Sequence, residues 1–497
     1  MSLRLVPCSL SLLLLAVASG CPGSDGDEET TAADGDSTGS AETTGDEPAG
    51  GGEILGCPDG SCVMLLATQT LDDRVEVFVP DHPDGAYRGA VDLDFKPNMC
   101  DGCAPGDNGD GRLDEPFGLL RAGGFLHVLV GHYPSREEGS LVSVPLGAFE
   151  GYAAGTTVPS SDLFADGQFL EPVVGRSLGE LEPIFMHHHS SGKVIVGTFN
   201  NDLFATEDTW TQPGKLLVFD PSDPGGEVGQ VTLDALMGGT CQGAAQVIDL
   251  GSDILAVACD GNEAVAVLDG SALSGTVADA AAGLATGAVC PLPGAMPGRR
   301  VRYLAPDGAT GFVVLEGPTP LDLLGGGRIW HFGADCGLIG TVTLPPEGDW
   351  QLGEVVRLPA SAPTWLFAAG SATPDGLRGV FVAHEANGTL ETCGPIEGFD
   401  AHWDDGNGGV LEPTALAVTS DGANLAVGAS PFFADADDPG FGKVLWASLS
   451  GSDPCSLSAN VTDLTDGGAG HAPLAVADDA STFRRGPNVI EIQEIGG

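Results

Sequence analysis

Positive charge is what this 497-residue chain has least of. Lys and Arg number 19 against 70 Asp and Glu, a net charge of −51. Such a surface has no electrostatic reason to approach nucleic acid or an anionic membrane face, so nucleic-acid partners are excluded. Long apolar runs are missing too. No stretch after the N-terminal segment approaches 18 uninterrupted apolar residues, and no transmembrane helix is expected. Nor does any convincing amphipathic helical pattern occur from residue 57 onward, while 76 Gly and 35 Pro oppose helix interiors. Familiar reaction centres are absent as well: there is no G-x-S-x-G elbow, H-E-x-x-H, Walker loop or G-x-G-x-x-G between strand and helix. That argues against common hydrolase and nucleotide chemistries. Metal-assisted hydrolysis, whose ligands come from scattered strands, stays open.

What is present begins with an address. Residues 1–20 carry one basic residue, Arg4, and the apolar run Leu10 to Ala18, too short to span a bilayer but suited to a secretion signal. The run ends in Ala18-Ser19-Gly20-Cys21, which resembles the bacterial lipobox, although Ala18 stands where that motif usually has Leu. The resemblance implies that Cys21 is acylated, by palmitate among other chains, and becomes the mature N-terminus. Cleavage at the A-x-A site Ala16-Val17-Ala18 is the alternative. Residues 22–56 hold 10 acidic residues and no basic ones among Gly, Ser, Thr, Ala and Pro, a composition that stays solvated and self-repelling. The expected organisation is therefore a lipoprotein signal peptide at 1–20, a lipidated Cys with a disordered acidic tether at 21–56, and one folded domain at 57–497. Pro22 after the Cys favours the outer membrane of the cell envelope by the habit of lipoproteins.

With Cys8 and Cys21 set aside, 10 of the 12 Cys remain, an even number that suits disulfides in an exported chain. Proximity suggests Cys57 with Cys62, Cys100 with Cys103, and Cys241 with Cys259. It says nothing of how Cys290, Cys336, Cys393 and Cys455 pair. The Cys100-Asp-Gly-Cys103 element reads as a loop disulfide rather than a redox pair, because Pro, Gly and Asp crowd it where a helix N-terminus would be needed.

The 42% hydrophobic content supplies a core, and the apolar residues fall in short runs separated by Gly, Asp, Pro and Ser. A strand ending in a small residue recurs near Leu66-Ala67, Val130-Gly131, Val196-Gly197 and Val257-Ala258. It returns near Val314-Leu315, Val382-Ala383, Val427-Gly428 and Val476-Ala477, at a mean interval of about 59 residues. The spacing predicts an all-β propeller with long loops and seven four-stranded blades, eight being the alternative. The opening segment Val63–Leu93 lacks an inner strand. The terminal run Asn488–Glu494 is placed to supply it and so protect both edges. Glu115-Pro116, Glu182-Pro183 and Glu412-Pro413 each open an apolar run, a position where Pro need not donate to a ladder. They are expected to mark the starts of innermost strands.

Asp73-Arg74-Val75-Glu76-Val77-Phe78 is similar to the strand that follows the turn of an NHL blade. The Gly-Asp-Gly at 109–111 with Pro116-Phe-Gly-Leu is similar to that repeat's opening. The chain thus resembles the NHL and YVTN class of propellers in rhythm over 63–494, and only these pieces carry the likeness in detail.

Three candidate sites follow. Asn108, Asp110 and Asp114 resemble ligands of an oxygen-donor calcium loop, but Gly106 and Phe117 stand where carboxylates are required. Glu115, Glu182 and Glu412 would converge at one mouth of the channel and favour a hard cation. The resemblance to gluconolactonase-like propellers implies a catalytic metal in that region. In His187-His188-His189, strand alternation lets only His187 and His189 share a side, where neutral imidazoles bind a transition metal. The expected function is a non-enzymatic, lipid-anchored monomer that binds a protein or carbohydrate ligand. No cofactor is required, calcium being the candidate. The alternative is a calcium- or zinc-dependent lactonase-like or phosphoester hydrolase.

Overall fold

The computed structural model describes residues 52–496, except 70–72, 94, 96–114, 132–137, 166–167, 182, 199–213, 234–235, 237–240, 296–299, 318–326, 345–349, 361, 372–376, 405–409, 432–441, 466–486 and 488. Cys21, Asn108, Asp110, Asp114, Cys100, Cys103 and Glu182 therefore lie outside the described residues.

Short β-rich runs joined by turns pair with their chain neighbours, and seven antiparallel sheets result. Blade one consists of Ile490–Ile495, Cys62–Gln69, Arg74–Phe78 and Tyr87–Asp92, with Thr156–Val158 added in parallel at its outer edge. Blade two is Glu115–Ala122, Phe125–Gly131, Glu138–Pro145 and Val174–Leu181. Blade three is Pro183–His188, Val194–Thr198, Lys215–Phe219 and Val228–Thr232, and blade four is Ala244–Asp249, Ile254–Cys259, Ala264–Asp269 and Ala285–Pro291. Blade five runs Arg300–Pro306, Gly311–Gly317, Arg328–Gly333 and Leu338–Thr343. Blade six runs Trp350–Arg357, Thr364–Ser371, Gly379–Ala386 and Thr389–Cys393, and blade seven Leu411–Val418, Asn424–Pro431, Lys443–Ser450 and Ser458–Asp463. The first-named strands touch one another in a closed ring around the axis.

The architecture is a seven-bladed propeller, as the spacing predicts. Seven of the eight recurring landmarks fall one to a blade, on the second strand except for Val382-Ala383, which lies on the third. The eighth, Val476-Ala477, lies outside the described residues. Closure uses the last strand of the chain: Cys62–Ala67 pairs antiparallel with Ile490–Ile495, so Leu65 has Phe78 on one side and Ile492 on the other.

Both faces of each blade are covered, so the core is a ring of interfaces rather than one centre. Leu120, Leu129, Met186 and Leu217 fill the gap between blades two and three, and Ile195, Leu216, Leu255 and Ala266 that between three and four. Leu65, Phe78, Ala426 and Trp446 close blade seven on blade one. Ile54 and Leu55 are buried in the cluster beneath blade one, so the folded body reaches back into the segment read as tether. Burial of this two-sided kind explains strands such as Met64–Ala67, which are apolar without alternation.

One short α-helix, Val277–Gly283, escaped the pattern reading. Seven residues hold too few turns to show a period. Its signals are local: Thr276 Oγ1 accepts from Asp279 N at 3.1 Å, and Val277 and Ala280 are buried. Among the described residues no helix is long and apolar enough to cross a membrane.

Candidate functional site

Strand direction decides which residues share an end of the ring. In an up-and-down blade the first strand starts, the second ends, the third starts and the fourth ends at the same face. Most of the long connections lie at that starting face: Thr198 to Lys215, Gly317 to Arg328, Pro431 to Lys443, Cys393 to Leu411 and Asp463 to Ile490, while Pro145 to Val174 and Asp269 to Ala285 are the long ones at the opposite face. At the opposite face Gly123-Gly124 and Asn387-Gly388 suffice to turn the chain. The starting face thus gathers connecting chain from five of the blades, while the opposite face turns tightly except beside blades two and four.

The described members of the Glu-Pro pairs open at the starting face. Glu115 and Pro116 are the first residues of blade two's inner strand, Pro183 begins that of blade three, and Glu412 is the second residue of blade seven's. The side chain of Glu115 lies outside the described set. Glu412 is 1% exposed and packs over blade six, where a Cβ on Gly370 would meet its Cβ and Cγ at 3.1 Å. Burial lowers the pKa of Arg378, and the neighbouring Glu412 carboxylate opposes that fall. A guanidinium beside it therefore answers the negative charge of Glu412.

A feature missed by sequence reading repeats around the axis. The inner strand of every blade except the first shifts register against its partner: between Pro116 and Leu119, Pro183 and Phe185, Ala244 and Val247, Val301 and Tyr303, Leu352 and Val355, and Pro413 and Leu416. An inner strand has a ladder partner on one side only, so buried N–H groups on its other edge need other acceptors. Polar side chains of the preceding blade supply them. Gln246 Oε1 accepts from Leu304 N at 2.6 Å, Asp260 Oδ1 from Val301 N at 2.9 Å, and Glu354 Oε2 from Leu416 N at 2.8 Å. Glu491, on the closing strand, accepts from Arg121 N at 3.0 Å. These carboxylates and the amide of Gln246 stitch blade to blade. The signal was present as lone Gln and Glu residues inside apolar runs.

His187 and His189 share a side, as alternation requires, and that side faces blade four rather than the channel. Phe185, two residues earlier, joins the cluster containing Ala245, and His189 Nε2 lies 3.5 Å from Asp249 Oδ2. Burial holds the His187 pKa down at about 3, with His189 and His188 adding to the effect. Neither of its ring nitrogens has a hydrogen-bond partner among the described residues. His187 is thus a neutral core imidazole. Among the described residues, no grouping of His, Cys, Asp and Glu at metal-holding spacing includes His187 or Glu412.

A second polar cluster sits at the opposite face, after the inner strand of blade five. Asp307 accepts from Ala309 N at 2.7 Å and Gly311 N at 2.9 Å, and its Oδ2 lies 3.2 Å from His331 Nε2. Burial alone would raise the Asp307 pKa, but the bonds from His331, Ala309 and Gly311 outweigh it and hold the carboxyl below its ordinary value. His331 meets Trp365 edge-on at 5.0 Å, and Trp365 Nε1 donates to Pro306 O at 2.8 Å, locking blade six to blade five.

Four disulfides occur among the described residues. Cys57–Cys62 and Cys241–Cys259 join neighbours in sequence, while Cys290–Cys336 and Cys393–Cys455 link partners 46 and 62 residues apart.

No protein-family model matches the chain, and no curated protein matches it significantly. Solved structures do. A protein from Lactobacillus plantarum is 13% identical, with 87% of this chain and 100% of that one covered at a TM-score of 0.48. The periplasmic gluconolactonase PpgL of Pseudomonas aeruginosa is 13% identical, with 88% and 99% covered at 0.46. A hypothetical selenium-binding protein from Sulfolobus tokodaii is 10% identical, with 89% and 96% covered at 0.44. At such identities the likeness is one of fold.

Proposed function

We propose that the chain is a binding module: a monomeric propeller held in the cell envelope by an acylated Cys21, presenting its starting face to a protein or carbohydrate ligand. One observation carries this reading, the gathering of five long connections around that face, whereas the opposite face has two. Connecting chain tolerates variation and forms binding surfaces on a rigid scaffold. The described inner-strand carboxylates of Glu354 and Glu491 accept backbone bonds, and Glu412 lies beside Arg378, which leaves them little freedom for chemistry. The acidic stretch at 22–56 suits a spacer between lipid and domain.

The test is a photo-crosslinking side chain placed at the exposed Asp400, on a starting-face connection, or at Asn387, on an opposite-face turn, in cells that make the protein. Adducts at position 400 and none at 387 support the reading. Adducts at both, or at neither, count against it. Anchoring has its own measurement: Cys21→Ala should move the protein from the membrane to the soluble fraction, and continued retention would defeat the lipid assignment.

A metal-dependent hydrolase of the lactonase or phosphoesterase kind is the second reading, favoured by the opening of the Glu115-Pro116 and Glu412-Pro413 pairs at one mouth. It requires one firmly held Ca²⁺ or Zn²⁺ per purified chain, lost in Glu412→Gln. Metal analysis that finds none removes it.

A further inference from the structure

The Cys393–Cys455 disulfide differs from the other three in what stands beside it. Cys393 ends the outer strand of blade six, and Cys455 lies in the short 3₁₀ turn Pro454–Ser456 of blade seven, so the bridge spans two blades at the rim. His384 Nε2 is 3.3 Å from Cys455 Sγ. The imidazole and both sulfurs all lie within 4.8 Å of one another, and no other such grouping occurs among the described residues. Glu391 is the cross-strand partner of His384 and sits two residues before Cys393, on the same face of the blade.

We propose that this disulfide covers a zinc site and that reduction opens it. The donor set is Cys393 Sγ, Cys455 Sγ and His384 Nε2, with Glu391 or water in the fourth position. Thiolates and imidazole are the ligands zinc prefers, whereas a disulfide offers it almost nothing. The geometry is close to what the ion needs. Bond lengths of about 2.3 Å to sulfur and about 2.0 Å to nitrogen in a tetrahedron place a sulfur roughly 3.6 Å from the nitrogen and roughly 3.8 Å from the second sulfur. The sulfur–nitrogen separation already fits. The two sulfurs must part, and Cys455 is exposed on a turn where a side-chain rotation can achieve it.

The step balances with a dithiol as reductant. Its thiolate attacks Cys455 Sγ, the Cys393–Cys455 bond breaks, and Cys393 leaves as a thiolate that takes a proton. The second thiol of the reductant then resolves the mixed disulfide, so that two electrons and two protons pass to the chain and the reductant ends as its own disulfide. Binding of Zn²⁺ expels both thiol protons. The ion then takes over the link between blades six and seven. This site lies at the outer rim between blades six and seven and its readout is metal binding, so its success or failure leaves the binding-module reading untouched.

Cobalt reports on the ligand set. The full-length purified chain, reduced with a phosphine that does not chelate metal, is titrated with Co²⁺ and then with Zn²⁺. The expected result is a saturable thiolate-to-cobalt charge-transfer band of one equivalent, displaced by Zn²⁺ and absent before reduction. Cys455→Ser should abolish the band although every other cysteine remains. His384→Ala should weaken binding by about tenfold or more, and His384→Gln by a similar factor with the side-chain volume kept. No band after reduction overturns the proposal. So does a band that survives Cys455→Ser, or one that both His384 variants leave unchanged.

Discussion

Acid should weaken this fold through its buried imidazoles before its carboxylates begin to titrate. His127 is fully buried in blade two, its Nδ1 2.9 Å from Ser143 Oγ and its Nε2 3.2 Å from Ala122 O. The neutral ring with its proton on Nε2 satisfies both, donating to the carbonyl and accepting from the hydroxyl. Burial lowers its pKa from 6.5 to about 4, against the pull of the backbone acceptors Ala122 and Pro221 and with help from His188 and Arg176. Above pH 6.5 neither folded nor unfolded chain binds the proton, and nothing is lost. Below it the unfolded chain takes up a proton that the native site refuses until about pH 4, so stability falls as pH falls. Between pH 6.5 and pH 5 the loss reaches about 2 kcal/mol for this one residue. His187, held at about 3, adds a similar amount over the same interval. The assay is urea unfolding at fixed ionic strength across that range, for the native sequence and for His127→Gln, whose amide can replace both hydrogen bonds. The variant should lose about 2 kcal/mol less than the native chain on going to pH 5. Equal slopes would refute the reasoning, whatever the variant's stability at neutral pH.

Gly197 on blade three has the backbone of blade four so close that a Cβ would lie 2.1 Å from Ala245 O. Gly197→Ala should therefore cost about 1–3 kcal/mol or more in a thermal melt, and a neutral outcome would mean the blades are not packed as described. Glu354→Ala removes the acceptor of Leu416 N and should cost about 1–3 kcal/mol, read by denaturant midpoint. Removing residues 489–497 strips blade one of its inner strand and exposes the edge of Cys62–Ala67. The product should aggregate or lose its cooperative transition, and a monomer melting like the full chain would contradict the closure.

The ring was legible because its rules are local. Alternating strands and turns give the blade interval, and Pro after Glu at 116, 183 and 413 could begin a strand but not continue a central one. The lack of an inner partner for Cys62–Gln69 pointed to the far end of the chain, where Ile490–Ile495 supplies it. Side-chain direction at the axis was not legible. A register shift near the start of an inner strand reverses which face later residues take, and nothing in Glu412-Pro413-Thr414 or Ala244-Ala245-Gln246 announces it. The same limit hid the bonds of Gln246 and Glu354, since each acceptor serves a donor about 60 residues away. Proximity found Cys57–Cys62 and Cys241–Cys259. Cys290–Cys336 and Cys393–Cys455 needed the topology that brings neighbouring strands and blades to one rim.

The pairing of Cys62–Ala67 with Ile490–Ile495 also sets an order of events during synthesis. A ribosome that has finished blade seven still carries an unsealed wheel, because the missing spoke is made after it. The ring consequently cannot close before that strand has emerged. Once the tail clicks in, beginning and end are fastened to each other, and neither can be loosened without unlocking the whole circle.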